Sequence, residues 1–420
     1  MELPDSGRSS SGRTAGEAPA DVGALAYRVS MRILHTSDWH IGRSFHGHAT
    51  LDALATVLTE LVAQVAQNAV DLVVIAGDVF DSATPAAGCY PLLTDTLSAI
   101  RAAGARVVVT SGNHDSAARL GFQSTFAAAS GIHVLTRPDQ VSVPVTLVDE
   151  HGPVHVYGIP FLEPSLVRHV WPEVTLRTQE QTIAHAMRLV NDDRAERGGR
   201  SIAIAHCFAA DVEPTPGVER EIRQGTLDVV PRSTFDGPDY VALGHIHGRN
   251  ELSARVRYAG APLHYSFGEQ NKPRGSWLVD LDAAGLAAVE WLPLPVPRRL
   301  VTLSGALDEL LADDRFGDDR DAWVCARYTD ATPQPDPMRR LLTRFPHCAT
   351  VQHVPATAAD KGERSYASRV REARDDGELI STFLAHVRQG EAADLREAEI
   401  LAEVIVESTL SEDRSAGIPV

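Results

Sequence analysis

The stretch Leu34-His35-Thr36-Ser37-Asp38-Trp39-His40-Ile41-Gly42 decides how the rest of the chain is read. An apolar run ends abruptly in a carboxylate and an imidazole two residues apart. In an extended segment residues i and i+2 point the same way, so Asp38 and His40 are expected to grip one cation from the mouth of a strand. Alone the triplet is weak, because a chain of 420 residues with 17 histidines can carry one by chance.

Four further pieces change that judgement: Gly77-Asp78-Val79-Phe80-Asp81, Gly112-Asn113-His114-Asp115, Ala205-His206-Cys207 and Gly244-His245-Ile246-His247. Each follows a short apolar run, at 71–76, 106–110, 201–205 and 240–243. Every candidate ligand therefore falls at the C-terminal end of a predicted buried strand, the edge where α/β sheets place their ligands. Taken singly, each reads as a turn residue or a satisfied core histidine. Together they point to a pair of divalent cations, which about 3.5–4 Å apart require a bridging carboxylate. Asp78 is the natural bridge. Mixed carboxylate, amide and imidazole ligands suit Mn²⁺, Fe²⁺ or Zn²⁺ better than Ca²⁺, and Mn²⁺ is the first expectation. The four cysteines, Cys89, Cys207, Cys325 and Cys348, lie far apart without a Cys-x-x-Cys pair. They fit a reducing compartment rather than a structural zinc site.

In kind and order these motifs resemble those of the calcineurin-like metallophosphoesterases. Within that superfamily the chain is most similar to the SbcD-type nuclease subunits of bacterial SbcCD exonucleases. The phrases that carry the likeness are Met31-Arg32-Ile33-Leu34-His35-Thr36-Ser37-Asp38-Trp39-His40, Tyr240-Val241-Ala242-Leu243-Gly244-His245-Ile246-His247, and Tyr258-Ala259-Gly260-Ala261-Pro262 leading to Tyr265-Ser266-Phe267-Gly268-Glu269. The likeness runs from Met31 almost to the C-terminus. It implies an α/β fold, a two-sheet sandwich flanked by helices, with a small α/β capping domain and C-terminal helices. It implies two divalent ions per chain, Mn²⁺ first and Mg²⁺, Fe²⁺ or Zn²⁺ as the other candidates. Asp38, His40, Asp78 and His247 would hold one metal, and Asp78, Asn113, His206 and His245 the other. His114 would be the catalytic residue beside the substrate, steadying the phosphate or protonating the leaving 3′ oxygen, with Asp115 orienting it and Asp81 in support.

The implied activity is metal-dependent phosphodiester cleavage, 3′ to 5′ exonuclease action on duplex ends and endonuclease action on single strands and hairpins, in DNA repair, recombination and replication. The implied partners are DNA and an SbcC-like coiled-coil ATPase, with a nuclease homodimer inside a heterotetramer. Two rivals remain: a metallophosphodiesterase acting on small nucleotides through the same metal centre, and a non-catalytic scaffold for an ATPase. Retention of all seven ligand candidates and His114 speaks against the scaffold.

The net charge of -17 speaks against a simple DNA-binding protein, since phosphate contacts usually demand clustered Lys and Arg. Two cations would bring about four positive charges to the scissile phosphate, leaving a partner to grip the duplex. No apolar run approaches a membrane span and no leader pattern is present, so a soluble, cytoplasmic, nucleoid-associated protein without membrane contact is expected.

Residues 1–30, rich in Ser, Gly, Ala, Arg and Pro, are expected to be a disordered tail, dispensable ahead of Met31. The nuclease domain is expected over 31–296, with helices at 50–68, 90–103 and 180–197 alternating with strands. The alternating prolines of Leu292-Pro293-Leu294-Pro295-Val296-Pro297 mark a linker. A capping domain at 297–355 and ATPase-binding amphipathic helices at 356–420 follow. Arg43, in a polar loop with His46 and His48, is a candidate phosphate contact, and His264 a candidate for the cleft wall. His35, inside the first strand, reads as a satisfied core side chain.

Overall fold

The computed structural model describes residues 30–210, 229–355 and 397. The expected N-terminal tail, and the ATPase-binding helices apart from Glu397, lie outside the described residues. What is described falls into two compact units: the first holds the residues up to Val301 together with Asp321–Val324, the second Thr302–Arg320 and those from Cys325 on.

The first unit is built on two six-stranded sheets. In one, the parallel strands Met31–Thr36, Leu72–Ala76, Arg106–Thr110 and Ile132–Leu135 lie side by side, and Gly275–Asp282 and Gly285–Pro293 extend the Met31 edge antiparallel. In the other, Gly152–Ile159, Arg200–His206, Tyr240–Gly244 and Val256–Tyr258 run parallel, bordered antiparallel by Val145–Asp149 and Asn250–Glu251. Parallel neighbours need crossovers, and helices supply the long ones: Leu51–Gln67, Cys89–Ala102 and Gln179–Arg197.

Period-two alternation places the sheets face to face. Leu72, Val74 and Ala76 pack with Val154, Val156, Ile202, Ile204 and Ala242 between the sheets. Val73 and Ile75 turn outward onto Leu54, Val57, Leu58 and Leu61 of the first helix. Outside the second sheet, Ala203, Ala205, Val241 and Leu243 meet Ile183, Ala186, Met187 and Val190. Burying each such side chain contributes about 1.5–3 kcal/mol, so three packed layers of them fix the sheet edges on which the ligands ride.

The helices fall within one residue of expectation. The edge strand Ile132–Leu135 did not emerge from the sequence, because all four residues are only half buried and carry no clean alternation. The first unit thus has the expected sandwich. The three-stranded sheet Leu300–Gly305, Trp323–Tyr328, Cys348–His353, in that order, has most of its residues in the second unit, which also holds helices Leu307–Ala312 and Pro337–Arg344 and a core that includes Leu307, Leu310, Leu341 and Phe345. Among the described residues no helix is long and apolar enough to cross a membrane.

His35 ties the two sheets. Its Nε2 lies 3.2 Å from the Leu243 carbonyl, an acceptor only, so Nε2 carries the proton and Nδ1 accepts from the Tyr240 hydroxyl at 2.9 Å. Burial pushes its pKa down to about 3. An unfolded histidine near 6.5 takes up the proton that the folded one refuses. Its contribution to stability is therefore present above pH 6.5 and lost as the pH falls toward 3, by about 1.4 kcal/mol per pH unit. Urea unfolding of the metal-stripped protein between pH 7 and 4 should show a flatter pH dependence for His35→Gln than for the parent. Equal slopes would rule this out.

Candidate metal centre

The Met31–Thr36 strand ends before Asp38, and the chain enters the site through left-handed backbone. Asp38 and His40 have φ of 54° and 46°, and Asp78 and His245 have 48° and 103°. The i, i+2 alternation of an extended segment is thus not what aims Asp38 and His40 together; two left-handed residues do it. Such conformations cost about 1–3 kcal/mol each in non-glycine residues and persist where surroundings over-determine them. Here the bonds run between two ligand loops: Asp38 N–H donates to Gly77 O (3.1 Å), His40 N–H to Asp78 O (2.9 Å) and Ile41 N–H to Val79 O (2.9 Å).

The glycines of the motifs allow the close approach. A Cβ on Gly112 would lie 2.1 Å from Asp78 Oδ1, and one on Gly244 1.8 Å from the Ala76 carbonyl. On Gly77, which also has φ of 76°, a Cβ would meet His206 Nδ1 at 2.3 Å.

Hydrogen bonding at the back of each ring determines what its front presents. His206 Nδ1 faces the Ala76 carbonyl at 2.9 Å, so Nδ1 carries the proton and Nε2 is a bare lone pair in the neutral ring. That lone pair faces Asp78 Oδ2 at 3.3 Å and Asn113 Oδ1 at 3.1 Å, both acceptors. His245 Nδ1 faces the same Asn113 oxygen at 3.0 Å. His247 Nδ1 lies 3.3 Å from Glu269 Oε1, which turns its Nε2 lone pair inward to within 3.0 Å of His40 Nε2. His40 Nε2 is also 3.6 Å from Asp78 Oδ2, and its Nδ1 lies 3.2 Å from Asp81 Oδ1, within ion-pair range but off the hydrogen-bond line.

Lone pairs crowded in this way repel unless a positive charge sits among them. The donor set, carboxylate, amide oxygen and imidazole, is one that divalent cations take. Ligand atoms of Asp38, His40 and His247 lie within 4.8 Å of one another, as do those of Asp38, Asp78 and His206 and those of His40, Asp78 and His114. The residues present therefore fit a cation pair with Asp78 between.

Without cations a proton takes their place. Burial pushes His206 down, but Asp78 and Asp38 beside it lift it to about 9. Burial pushes Asp78 up, and His206, His40 and the His114 amide outweigh it, holding the carboxyl well below its usual range. His245 is held low by burial and by neighbouring His206.

The supporting residues divide the work differently from expectation. Asp115 does not orient His114. Its carboxylate accepts the main-chain N–H groups of Val79, Phe80 and Gly112 at 2.9–3.0 Å, clamping the Asp78 loop to the Asn113 loop, and burial lifts its pKa to about 6. His114 Nδ1 donates instead to the Asp81 carbonyl at 2.9 Å. Asp81 also takes Arg43 Nη1 at 3.0 Å, and the Arg43 guanidinium sits 5.0 Å from the Tyr265 ring centre. His264 is not brought to the cluster: it is buried, with Nε2 on the Lys272 carbonyl at 2.9 Å.

Ser37, Tyr265, Glu269 and Arg274 were not read as site residues. Ser37 Oγ donates to Asp38 Oδ2 at 2.5 Å, and the Tyr265 hydroxyl to the Trp39 carbonyl at 2.7 Å. The last three stand in or just after the Tyr265-to-Glu269 phrase, which was the available signal.

A profile of calcineurin-like phosphoesterases matches residues 31–249, more than half of the chain and all of the loops that carry the candidate ligands. The chain belongs to the calcineurin-like phosphoesterases. Members work with a dinuclear metal site, and this phosphoesterase has ligand clusters to match. A second profile, SbcD_C, the type 5 capsule protein repressor C-terminal domain, matches residues 296–388. Among solved structures, the chain is similar to a dimetal phosphatase from Danio rerio at 14% identity, covering 63% of this chain and 98% of that one with a TM-score of 0.36. It is also similar to GAP50, the anchor in the inner membrane complex of Plasmodium, at 9% identity, covering 79% and 99% with a TM-score of 0.34.

The Gly112 contact is testable. Gly112→Ala forces a methyl into Asp78 Oδ1, so Mn²⁺ titration of the stripped phosphoesterase should fall from two bound ions to at most one. An unchanged stoichiometry and affinity would show that Asp78 is not the bridge.

Proposed function

We propose that this metal-dependent phosphoesterase is a DNA nuclease of the SbcD type, working with an SbcC-like coiled-coil ATPase in DNA repair and recombination. The observation that carries the reading is the pairing, in one chain, of a phosphoesterase profile over residues 31–249 with an SbcD-type C-terminal profile over residues 296–388. A small-nucleotide phosphodiesterase would need only the first. The proposed activities are 3′ to 5′ exonuclease action on duplex ends and endonuclease action on single strands and hairpins, with Mn²⁺ as the preferred ion.

In this reading Asp38, His40, Asp78 and His247 hold one cation, and Asp78, Asn113, His206 and His245 the other. Bound there, the cations supply Lewis acidity at the scissile phosphate and neutralise its charge. The chain's own contribution to proton movement is His114. With Nδ1–H fixed on the Asp81 carbonyl, its Nε2 is the free atom, and as an imidazolium it hands a proton to the leaving 3′ oxygen. Its side chain is 38% exposed where that of His40 is fully buried, which suits a group that must meet substrate. Arg43, partly exposed on Asp81, borders the same cleft and is the proposed phosphate contact.

The proposed homodimer is supported by Phe122 and Phe126, 74% and 78% exposed on the turn and short helix that follow the His114 loop. The proposed ATPase contact falls on 356–420, outside the described residues apart from Glu397.

Mn²⁺-dependent assays on single-stranded circles, hairpins and blunt duplexes decide the substrate class. Asp78→Ala should abolish cleavage, and His114→Ala should slow it by about 10²–10⁴-fold with metal binding retained. Activity on cyclic nucleotides with none on DNA would move the assignment to the small-nucleotide reading. Deleting residues 376–420 should abolish ATPase binding while sparing cleavage, and retained binding would remove the proposed contact.

A further inference from the structure

The ligand histidines are not supported alike. His206 leans on a main-chain carbonyl, and His40 on Asp81 at an angle too poor for a hydrogen bond. His247 has a carboxylate built for it. Glu269, 7% exposed, meets His247 Nδ1 with Oε1, while its Oε2 takes Arg274 Nη2 at 2.8 Å and the Tyr265 N–H at 3.3 Å. Arg274, 2% exposed, also donates to the carbonyls of His247 and Ala261. A closed ring results: the His247 imidazole on Glu269, Glu269 on Arg274, and Arg274 back on the His247 main chain.

Stability alone gives little reason for this ring. A buried ion pair often contributes no more than a well-packed apolar replacement. Moreover, Arg274 Nε is buried with no acceptor among the described residues. What the ring does fix is one tautomer and one ring plane, with the Nε2 lone pair of His247 aimed at the cations. A carboxylate behind a ligating imidazole also raises its basicity.

We propose that Glu269, locked by Arg274, is the positioning residue of His247 and makes the Asp38/His40/Asp78/His247 position the tighter of the two cation positions. Among the described residues the other position has no such device: His206 has a neutral carbonyl behind it, and His245 turns Nδ1 itself toward Asn113. The inference rests on the two-cation reading of the site but not on DNA as the substrate.

The experiment is calorimetric Mn²⁺ titration of the metal-stripped full chain, with electron paramagnetic resonance to follow coupling between bound ions. The parent should show two unequal classes, the tighter removed by His247→Ala and the weaker by His206→Ala. Glu269→Gln keeps the size of the side chain and an acceptor for Arg274 but withdraws the charge. It should weaken the tighter class by about 10–100-fold and leave the weaker class in place, while the melting temperature of the metal-free protein falls because Arg274 loses its buried counter-charge. Glu269→Asp, which keeps the charge on a shorter arm, should recover part of the loss.

An unaltered tight class in Glu269→Gln overturns the inference, as does a weakening of both classes alike, the mark of general loosening. A parent that binds one ion overturns the two-cation reading as well. Failure to cleave DNA, with the titration as expected, overturns only the nuclease assignment.

Discussion

Inward-facing lone pairs at the ends of the parallel strands of two mixed sheets are the constraint around which this molecule is arranged. Four of the residues that bring them there sit at positive φ without being glycine. At about 1–3 kcal/mol each, that strain is comparable to the whole net stability of a typical domain, about 5–15 kcal/mol. Three packed layers and the bonds between ligand loops hold the strain in place, and a cation relieves the repulsion it creates. Any ion that binds only the folded site also stabilises the fold, by about 2.7 kcal/mol when present at a hundredfold excess over its dissociation constant. The same geometry that makes the apo site capture a proton at His206 makes the loaded site a place where positive charge is at home.

Charge explains why the cations must do more than chemistry. The chain carries a net charge of -17; beside the cluster Arg274 is buried on Glu269, and Arg43, the proposed phosphate contact, already shares its charge with Asp81. In the proposed reaction, attraction of the backbone and activation of the scissile bond come from the same two ions. If the proposed DNA substrate holds, so acidic a chain would depend on its metals for binding as much as for cleavage, and on a partner for the rest of the duplex.

What the sequence made legible follows from how local each signal is. Each ligand loop stands directly after its own buried strand, so an apolar run and a ligand within a few residues of one another, with a glycine close by at every loop but that of His206, marked the seven candidates. Their convergence is then a matter of topology, since parallel strands end on the same edge. The mechanism of aim was not legible. Nothing in Asp38-Trp39-His40 announces left-handed backbone, and a strand-like reading brought Asp38 and His40 together for the wrong reason. Long-range partners were hidden for the same cause: Glu269 is 22 residues beyond His247, and the Asp115 carboxylate reaches back 36 residues to Val79. The half-buried Ile132–Leu135 strand lacked the alternation that marks its neighbours.

Asp81 shows how closely the separate tasks of such a site are joined. Its carboxylate stands beside His40 and holds Arg43, while its carbonyl fixes the His114 ring. A proposed ligand, a proposed phosphate contact and the proposed proton carrier therefore share one residue, and the carbonyl rather than the charge sets the His114 tautomer. Removing the Asp81 carboxylate would release Arg43 and leave His114 in register. His40 and His114 can thus lie with ring centres 4.8 Å apart and still do different work. What separates them is exposure: the His40 ring is shut in, whereas a proton carrier must meet what it protonates.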